Sequence, residues 1–496
     1  MSLKNSFGKS GLWMSAAAGA NSLLSFVIFI ILSRLLAPEE IGLVAFALIV
    51  VELGRVFVNA GLSHAIVRHT EWDQDYATTC FYLNVVLALV FIAAIFLAIA
   101  PLIAHYYDAR AALLLQVLSI IFLLEGAKSV HEGKLKREFN FRAIALRSII
   151  ASLLSGIIGV LLAFNGYGVW ALVWQQLINQ VLITVITWKT AHWLPSLNFS
   201  MVHTRSLFSF STHLTLSQII SNLADKAYEM LIAILLGPAA LGFFRVGGRV
   251  LFILQEIIIK PFEQALLPAL ARLDERDARA QATLRVMRMS AYFIFPITFG
   301  AAAIGPEFIE FAFTEKWIQS GYVMTLLALG IAPLAMSAQI NAALTANGHA
   351  RAVMTIASIV FIMNCLLGLL FVPYGIAVAA AGFSLRSYLS IYFNLVFFKR
   401  VFQVSILRQL GTVAPAFSAA LLMLGLVQAA KLLLPQDWAL GLRLVLLASF
   451  GGAVYIFIMS CVFRAETKQF LHEGAAMAPA KAIPAIHYLQ RLLRLT

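Results

Sequence analysis

The residues of this chain that could do chemistry are charged side chains set at helical spacing inside long apolar runs. Glu52, Arg55 and Asn59 stand in one run, Asn222, Asp225, Lys226 and Glu229 in another, and Arg245, Arg249, Glu256, Lys260 and Glu263 in the next. A charge at the centre of a bilayer costs roughly 2.5–3.5 kcal/mol on insertion scales, so each asks for a reason. Arginine presents a planar, persistently charged donor fork that suits phosphate oxygens. Arg55, Arg245 and Arg249, with Lys226 and Arg386, are therefore anion-binding candidates; an interior ion-pair network that only fixes helix packing is the alternative. Glu52 and Arg55 are three apart on one helical face and could pair with each other. A carboxylate in a partly dry cavity holds its proton more tightly. Asp225, Glu229 and Glu256 are thus candidates for proton or sodium coupling, against permanent neutralisation by Lys226 and Arg249. Gln175 and Asn179 share one helical face and Gln176 and Gln180 another. All four suit either sugar hydroxyls or hydrogen bonds between helices, and Arg386, beside Ser384, Ser387 and Tyr388, carries the same two readings.

Enzyme and metal signatures fail on inspection. Gly8-Lys9-Ser10 resembles the end of a phosphate-binding loop, but Leu3 stands where the leading glycine belongs and no strand precedes it. His131-Glu132 is followed by Leu135 where a zincin needs histidine. Cys80, Cys365 and Cys461 all lie in apolar runs, read as small buried hydrophobes. No catalytic residue, metal or cofactor is expected beyond a coupling proton or sodium ion. The net charge of +13 lies in short connections rather than in a basic stripe, so no nucleic-acid partner is expected.

The elements that must position these residues are membrane spans. The 496 residues are 61% hydrophobic and 12% charged, about half the charge a soluble domain carries. Apolar runs of about 20 residues recur, each long enough to cross a hydrocarbon core. They predict spans over 11–36, 41–66, 78–105, 111–131, 144–165 and 168–188, then 209–236, 241–270, 288–313, 321–345, 352–371 and 375–397, and finally 411–433 and 438–463. The fold class is an all-α polytopic membrane protein of about fourteen transmembrane helices, the first of them an uncleaved helix rather than a signal peptide. Lys134, Lys136, Arg137 and Arg142, then Arg272, Arg276, Arg279, Arg285 and Arg288, then Lys399, Arg400 and Arg408 fall on one side. The connections on the other side are short and nearly free of cations, which puts both termini in the cytoplasm. The tail ends in Ala485–Leu495, whose pattern suits the membrane surface. Trp170, Trp174, Trp188 and Trp193 are expected at the interface or facing lipid.

An internal repeat is visible. Leu35-Leu36-Ala37-Pro38-Glu39-Glu40-Ile41-Gly42 recurs as Leu235-Leu236-Gly237-Pro238-Ala239-Ala240-Leu241-Gly242. Six spans separate the copies, so both enter the membrane in the same direction, a parallel repeat of the kind that places substrate between halves. A cheap turn for a tight helical hairpin is the alternative. The repeat divides the chain into a six-helix bundle over 1–190, a second over 205–400, two further helices over 409–463 and a cytoplasmic tail over 464–496.

Arg34 to Gly42 resembles the first-hairpin signature of the polysaccharide transporter family in the multidrug/oligosaccharidyl-lipid/polysaccharide exporter superfamily. Lys136-Arg137-Glu138-Phe139-Asn140-Phe141-Arg142 resembles a segment of its colanic-acid-exporter-like branch, with Asn140 where aspartate is usual. The resemblance is strongest over residues 1–290. It implies two six-helix bundles around a central cavity, two appended helices, and a bacterial inner-membrane flippase for undecaprenyl-pyrophosphate-linked oligosaccharide units. Arg55, Arg245 and Arg249 would then meet the pyrophosphate, membrane lipid would hold the acyl tail, and a polysaccharide polymerase and export machinery would be partners. Other classes are a drug/cation antiporter of the same superfamily, a lipid II flippase, and an integral-membrane polymerase or glycosyltransferase. The last typically carries long external loops or a soluble catalytic domain, which this chain lacks.

Overall fold

The computed structural model describes residues 3–59, 66, 72–200, 222, 223, 226–435 and 437–477, and among them every regular element is helical. The first six helices are α1 (Leu3–Leu35), α2 (Pro38–Asn59), α3 (Gln74–Tyr106), α4 (Ala109–Arg137), α5 (Phe141–Phe164) and α6 (Val169–Ala191). Residues 226–236 form α7, and α8 runs from Pro238–Leu254 through Gln255–Ile259 into Lys260–Ala271. Then come α9 (Arg276–Ala303), α10 (Ile318–Ala346), α11 (Ala350–Phe371), α12 (Ile376–Phe402), α13 (Ile406–Leu433), α14 (Leu440–Cys461) and α15 (Arg464–Met477). Among the described residues, twelve helices are long and apolar enough to cross a membrane. The other two expected spans are special cases. The first half of 209–236 lies outside the described residues, and α8 carries Arg245, Arg249, Glu256 and Lys260, too many charges to pass as apolar.

Two further expectations are corrected. The ninth span does not run 288–313: α9 begins at Arg276 and stops at Ala303, and Gly305–Phe313 is a separate short helix. The arginine-rich stretch is polar but helix-forming, and Pro306, lacking an N–H, suits the start of a new helix. Cys461 is exposed on α14, whereas Cys80 is buried. The tail segment Ala485–Leu495 lies outside the described residues. The helical ladder widens at two places, Ile95–Ile99 in α3 and Gln255–Ile259 in α8. Each is followed within two residues by a proline, Pro101 or Pro261, which removes a donor and crowds the carbonyl four residues back.

The chain packs as two compact units, residues 1–245 with 364–376, and 246–363 with 377–496. In the first, α1 lies on α5, α5 on α6, and α4 against α2, α3 and α6. In the second, α9 lies between α10 and α13, and α14 packs on α13. Here Lys431 of α13 pairs with Glu307 of the short helix at 2.7 Å.

The two copies of the Leu-Leu-x-Pro repeat meet inside the first unit. A Cβ on Gly42 would stand 1.7 Å from the Pro238 carbonyl oxygen, and one on Gly242 would stand 2.1 Å from the Pro38 carbonyl oxygen. The contact is reciprocal, so equivalent residues of the two copies face each other at the starts of α2 and α8. Glycine lets backbones approach where packing rather than water exclusion must hold helices together. The local turns also correspond. The Ile41 amide donates to the Ala37 carbonyl at 3.2 Å, and the Leu241 amide to the Gly237 carbonyl at 3.4 Å. Gly237 sits at φ +84°, a conformation an L side chain resists.

A methyl group at Gly42 would thus collide with backbone that cannot rotate away. Gly42→Ala and Gly242→Ala are each expected to destabilise the protein by about 1–3 kcal/mol. Gly19→Ala, with open space around it, is expected to be neutral or stabilising by up to about 1 kcal/mol. Thermal unfolding in detergent measures all three.

Candidate functional site

Helix α2 carries two opposite charges one turn apart, and the structure gives them different partners. Glu52 turns to α7, where Lys226 Nζ approaches its carboxylate at 2.7 Å. Lys226 also lies 3.7 Å from Glu229, which in turn holds Arg245 of α8 at 2.5 Å. These four residues form a charge-balanced relay across α2, α7 and the start of α8. The pairing of Glu52 with Arg55 that their spacing allowed gives way to cross-helix pairs, because both side chains can reach neighbours better placed than each other.

Arg55 faces α4 instead. Its Nε lies 3.8 Å from Glu125, which accepts a hydrogen bond from Gln180 of α6 at 2.7 Å and faces Lys128 at 3.2 Å. Lys128 continues to Glu132 at 3.9 Å, and Glu132 meets Lys136 at 2.9 Å and Arg147 of α5 at 2.8 Å. Arg147 also donates to the Thr187 hydroxyl of α6. Lys128 and Arg147 are buried. This second network sets Arg55, Lys128, Lys136 and Arg147 against Glu125 and Glu132, an excess of cations. None of its members except Arg55 and Gln180 was among the candidates read from sequence. A signal existed: Glu125, Lys128, Glu132 and Lys136 recur at i, i+3, i+7 and i+11, a charged stripe along one helical face.

The amides of α6 divide. Gln180 belongs to the second network through Glu125. Gln175, Gln176 and Asn179 line a cavity of about 130 Å³ with Ser25, Ser152 and Ser155. Asn179 donates to Ser155 at 3.2 Å, so at least one amide links helices. The cavity lies about 9–18 Å along α1, α5 and α6 from their shared end, near the middle of a 30 Å hydrocarbon layer. Its polar groups are neutral, which suits hydroxyl ligands or water.

The remaining described candidates belong to the second unit. The guanidinium of Arg249 lies 5.5 Å over the Phe252 ring, and Glu256 pairs with Lys260 one turn on in the same helix. Arg386 is buried in α12, 4.2 Å over the Phe383 ring, and donates to the Ser387 hydroxyl at 3.2 Å. Asp225 lies outside the described residues. Among the described residues no cluster of ligating side chains could hold a metal ion.

Two of the tryptophans expected at the interface turn inward. Trp188 stacks on His131 at 4.4 Å and donates to the Ala127 carbonyl. Trp193 is buried and donates to Gln74 at 2.7 Å. The segment after α6 is strapped to α3 by further bonds from Gln74 to the Leu194 carbonyl and from Tyr82 to the Ser196 carbonyl. His131, buried and bonded to the Trp193 carbonyl at 3.1 Å, anchors this strap.

Residues 31–321, more than half of the chain, match the family model described as polysaccharide biosynthesis protein. The chain belongs to that family. It is 28% identical over 307 residues to the succinoglycan biosynthesis transport protein ExoT of Rhizobium meliloti, covering 62% of each chain. The chain thus spans about three fifths of that relative's length. It is 22% identical over 333 residues to the lipopolysaccharide biosynthesis protein WzxC of Escherichia coli, covering 66% of this chain and 68% of WzxC. A solved structure titled lipid II flippase MurJ in an inward closed conformation superposes with a TM-score of 0.76 at 13% identity, covering 92% of this chain and 99% of that one. At that identity the likeness is one of fold. With its many apolar helices, this member of the polysaccharide biosynthesis family is a multi-pass membrane protein.

The Glu132–Arg147 pair gives a direct test of the second network. Arg147→Met leaves Glu132 with Lys136 and the more distant Lys128, and is expected to cost up to about 3–5 kcal/mol of stability. The double variant Arg147→Met/Glu132→Leu is expected to recover much of that loss, because no uncompensated carboxylate remains. A double-mutant cycle by unfolding in detergent reads the coupling; simple additivity of the two losses would contradict it.

Proposed function

We propose that this protein is a flippase for undecaprenyl-pyrophosphate-linked oligosaccharide units, working by alternating access in the bacterial inner membrane with both termini cytoplasmic. The observation that carries the reading is the excess of cations held between helices of the first unit around Arg55, Lys128 and Arg147. Surplus positive charge held between helices, at Lys128 and Arg147 largely out of solvent, is the arrangement that receiving an anion requires. The family match, relatives named for transport and lipopolysaccharide biosynthesis, and a fold neighbour titled as a lipid II flippase support the same direction. The surplus cations disfavour a drug/cation antiporter, whose cargo they would repel.

In this reading Arg55, Arg245 and Arg249, assisted by Lys226 and Arg386, serve the pyrophosphate. Gln175, Gln176 and Asn179 serve sugar hydroxyls from their neutral cavity, and Gln180 holds Glu125 in place. Lys226 and Arg245 are held by Glu52 and Glu229. A phosphate must displace these carboxylates, or the carboxylates must take up protons. Proton uptake at Glu229 or Glu52 would free the cations for cargo, which couples transport to a proton gradient without any cofactor. Asp225 and Glu256 are further coupling candidates. The parallel repeat supplies two halves for alternating access, and a polymerase and export machinery take up the product.

Deletion of the gene is the test. Loss of surface polymer together with a lipid-linked oligosaccharide retained on the cytoplasmic face is expected, with the cargo identified by mass. Normal pools and normal polymer, in a strain with no second flippase, would end the proposal. Within a complemented strain, Arg245→Lys is expected to reduce export several-fold and Glu229→Gln to shift its dependence on the proton gradient.

A further inference from the structure

At one end of the second unit α9, α13 and α15, the last described helix, enclose a cavity of about 360 Å³ that the charge networks above do not use. Its walls bring together Arg288 and Tyr292 of α9, Arg408 and Thr412 of α13, and Glu466 and Gln469 of α15. Helix α15 is built into place rather than merely adjacent. Phe470 stacks on Tyr292 with ring centroids 4.3 Å apart and planes 4° from parallel, and meets Phe293 edge-on at 5.8 Å. Thr467 is buried and donates to the Met459 carbonyl at 2.7 Å. Glu473 approaches Arg288 at 3.5 Å and Arg285 at 3.9 Å.

The cavity's donors are not spent on these contacts. Arg288 Nε is buried and has no hydrogen-bond partner. The side chain of Arg408 makes one long bond, 3.4 Å to Gln281. Two guanidinium groups with donors to spare, flanked by a threonine hydroxyl and a glutamine amide, suit a phosphodiester. Glu466 adds a carboxylate to the same cavity, which suits an ammonium group. The setting is the level where helices leave the apolar layer. The first turns of α9 are rich in arginine, and α15 exposes Arg464, Lys468 and His472 on its outer face. Basic pockets between helices at that level take lipid headgroups.

We propose that this cavity binds the headgroup of a zwitterionic phospholipid, its phosphate held by Arg288 and Arg408 and its amine by Glu466. The bound lipid ties α15 to the leaflet and to the base of α9 and α13. The site stands independently of the cargo that the protein moves.

The test uses the full chain, purified in detergent and delipidated, with lipid binding read by native mass spectrometry. Phosphatidylethanolamine, phosphatidylglycerol and inorganic phosphate are the three probes. Wild type is expected to bind phosphatidylethanolamine about tenfold more tightly than phosphatidylglycerol, because only the former brings an amine to Glu466. Arg408→Gln, at an exposed position where folding is not at stake, is expected to weaken both lipids about tenfold. Glu466→Gln is expected to erase the preference while leaving phosphatidylglycerol bound. Equal binding of both lipids by wild type, or unchanged binding by Arg408→Gln, would overturn the proposal. So would displacement of the lipid by inorganic phosphate at equal potency, which would mark a site for the free ion.

Discussion

Ion pairs between helices set the terms for the first unit of this protein. Helix α2 brings a carboxylate and a guanidinium into the membrane one turn apart, and neither can stay there unpaired. Glu52 recruits Lys226 from α7, and through Glu229 the pairing extends to Arg245 at the start of α8. Arg55 faces Glu125, and the chain of charges runs on down α4 to Arg147 of α5. Removing any one partner leaves another charge uncompensated between helices, so the helices that carry them are held as a set.

The Gly42–Gly242 crossing makes the first of these relays geometrically possible. Backbones that approach this closely bring the starts of α2 and α8 together, and Glu52, ten residues beyond Gly42, and Arg245, three beyond Gly242, both reach the charged pair of α7, Lys226 and Glu229. The contact also explains why both copies of the repeat end in glycine. In each copy it is the residue whose side chain would strike the other copy's proline carbonyl.

Much of the architecture was legible in sequence because a membrane span is a one-dimensional signal. Runs of apolar residues gave helix positions that mostly fall within a few residues of the structure. The apolar run over 241–270 located α8 despite the charges it carries, and the repeat beginning at Leu235 marks its start. The ends of α9 were misread because the arginines of 276–288 look like a loop, while nothing apolar marks the break at Gly305-Pro306. The site was legible only in part. Arg55, Lys226, Glu229 and Arg245 stood out as charges inside spans. Glu132 and Arg147 did not, because they lie near span ends where charge is ordinary, and only the packing of α4 on α5 and α6 shows that they pair. Which of two neighbouring amides meets Glu125 was equally beyond the pattern. Gln176 and Gln180 share a helical face, yet the first lines the polar cavity and the second joins the ion network.

The central claim is that the protein itself moves a lipid-linked oligosaccharide between leaflets, and purified protein in vesicles tests it most directly. Vesicles loaded with a short-chain pyrophosphate-linked oligosaccharide carrying a fluorescent sugar would be quenched from outside, with and without an imposed proton gradient. Wild type is expected to make the label in the inner leaflet accessible at a rate that responds to the gradient, and a variant lacking the Arg245 and Arg55 guanidinium groups is expected to slow that exchange at least tenfold. Exchange no faster than in protein-free vesicles, from protein shown to be folded, would contradict the account.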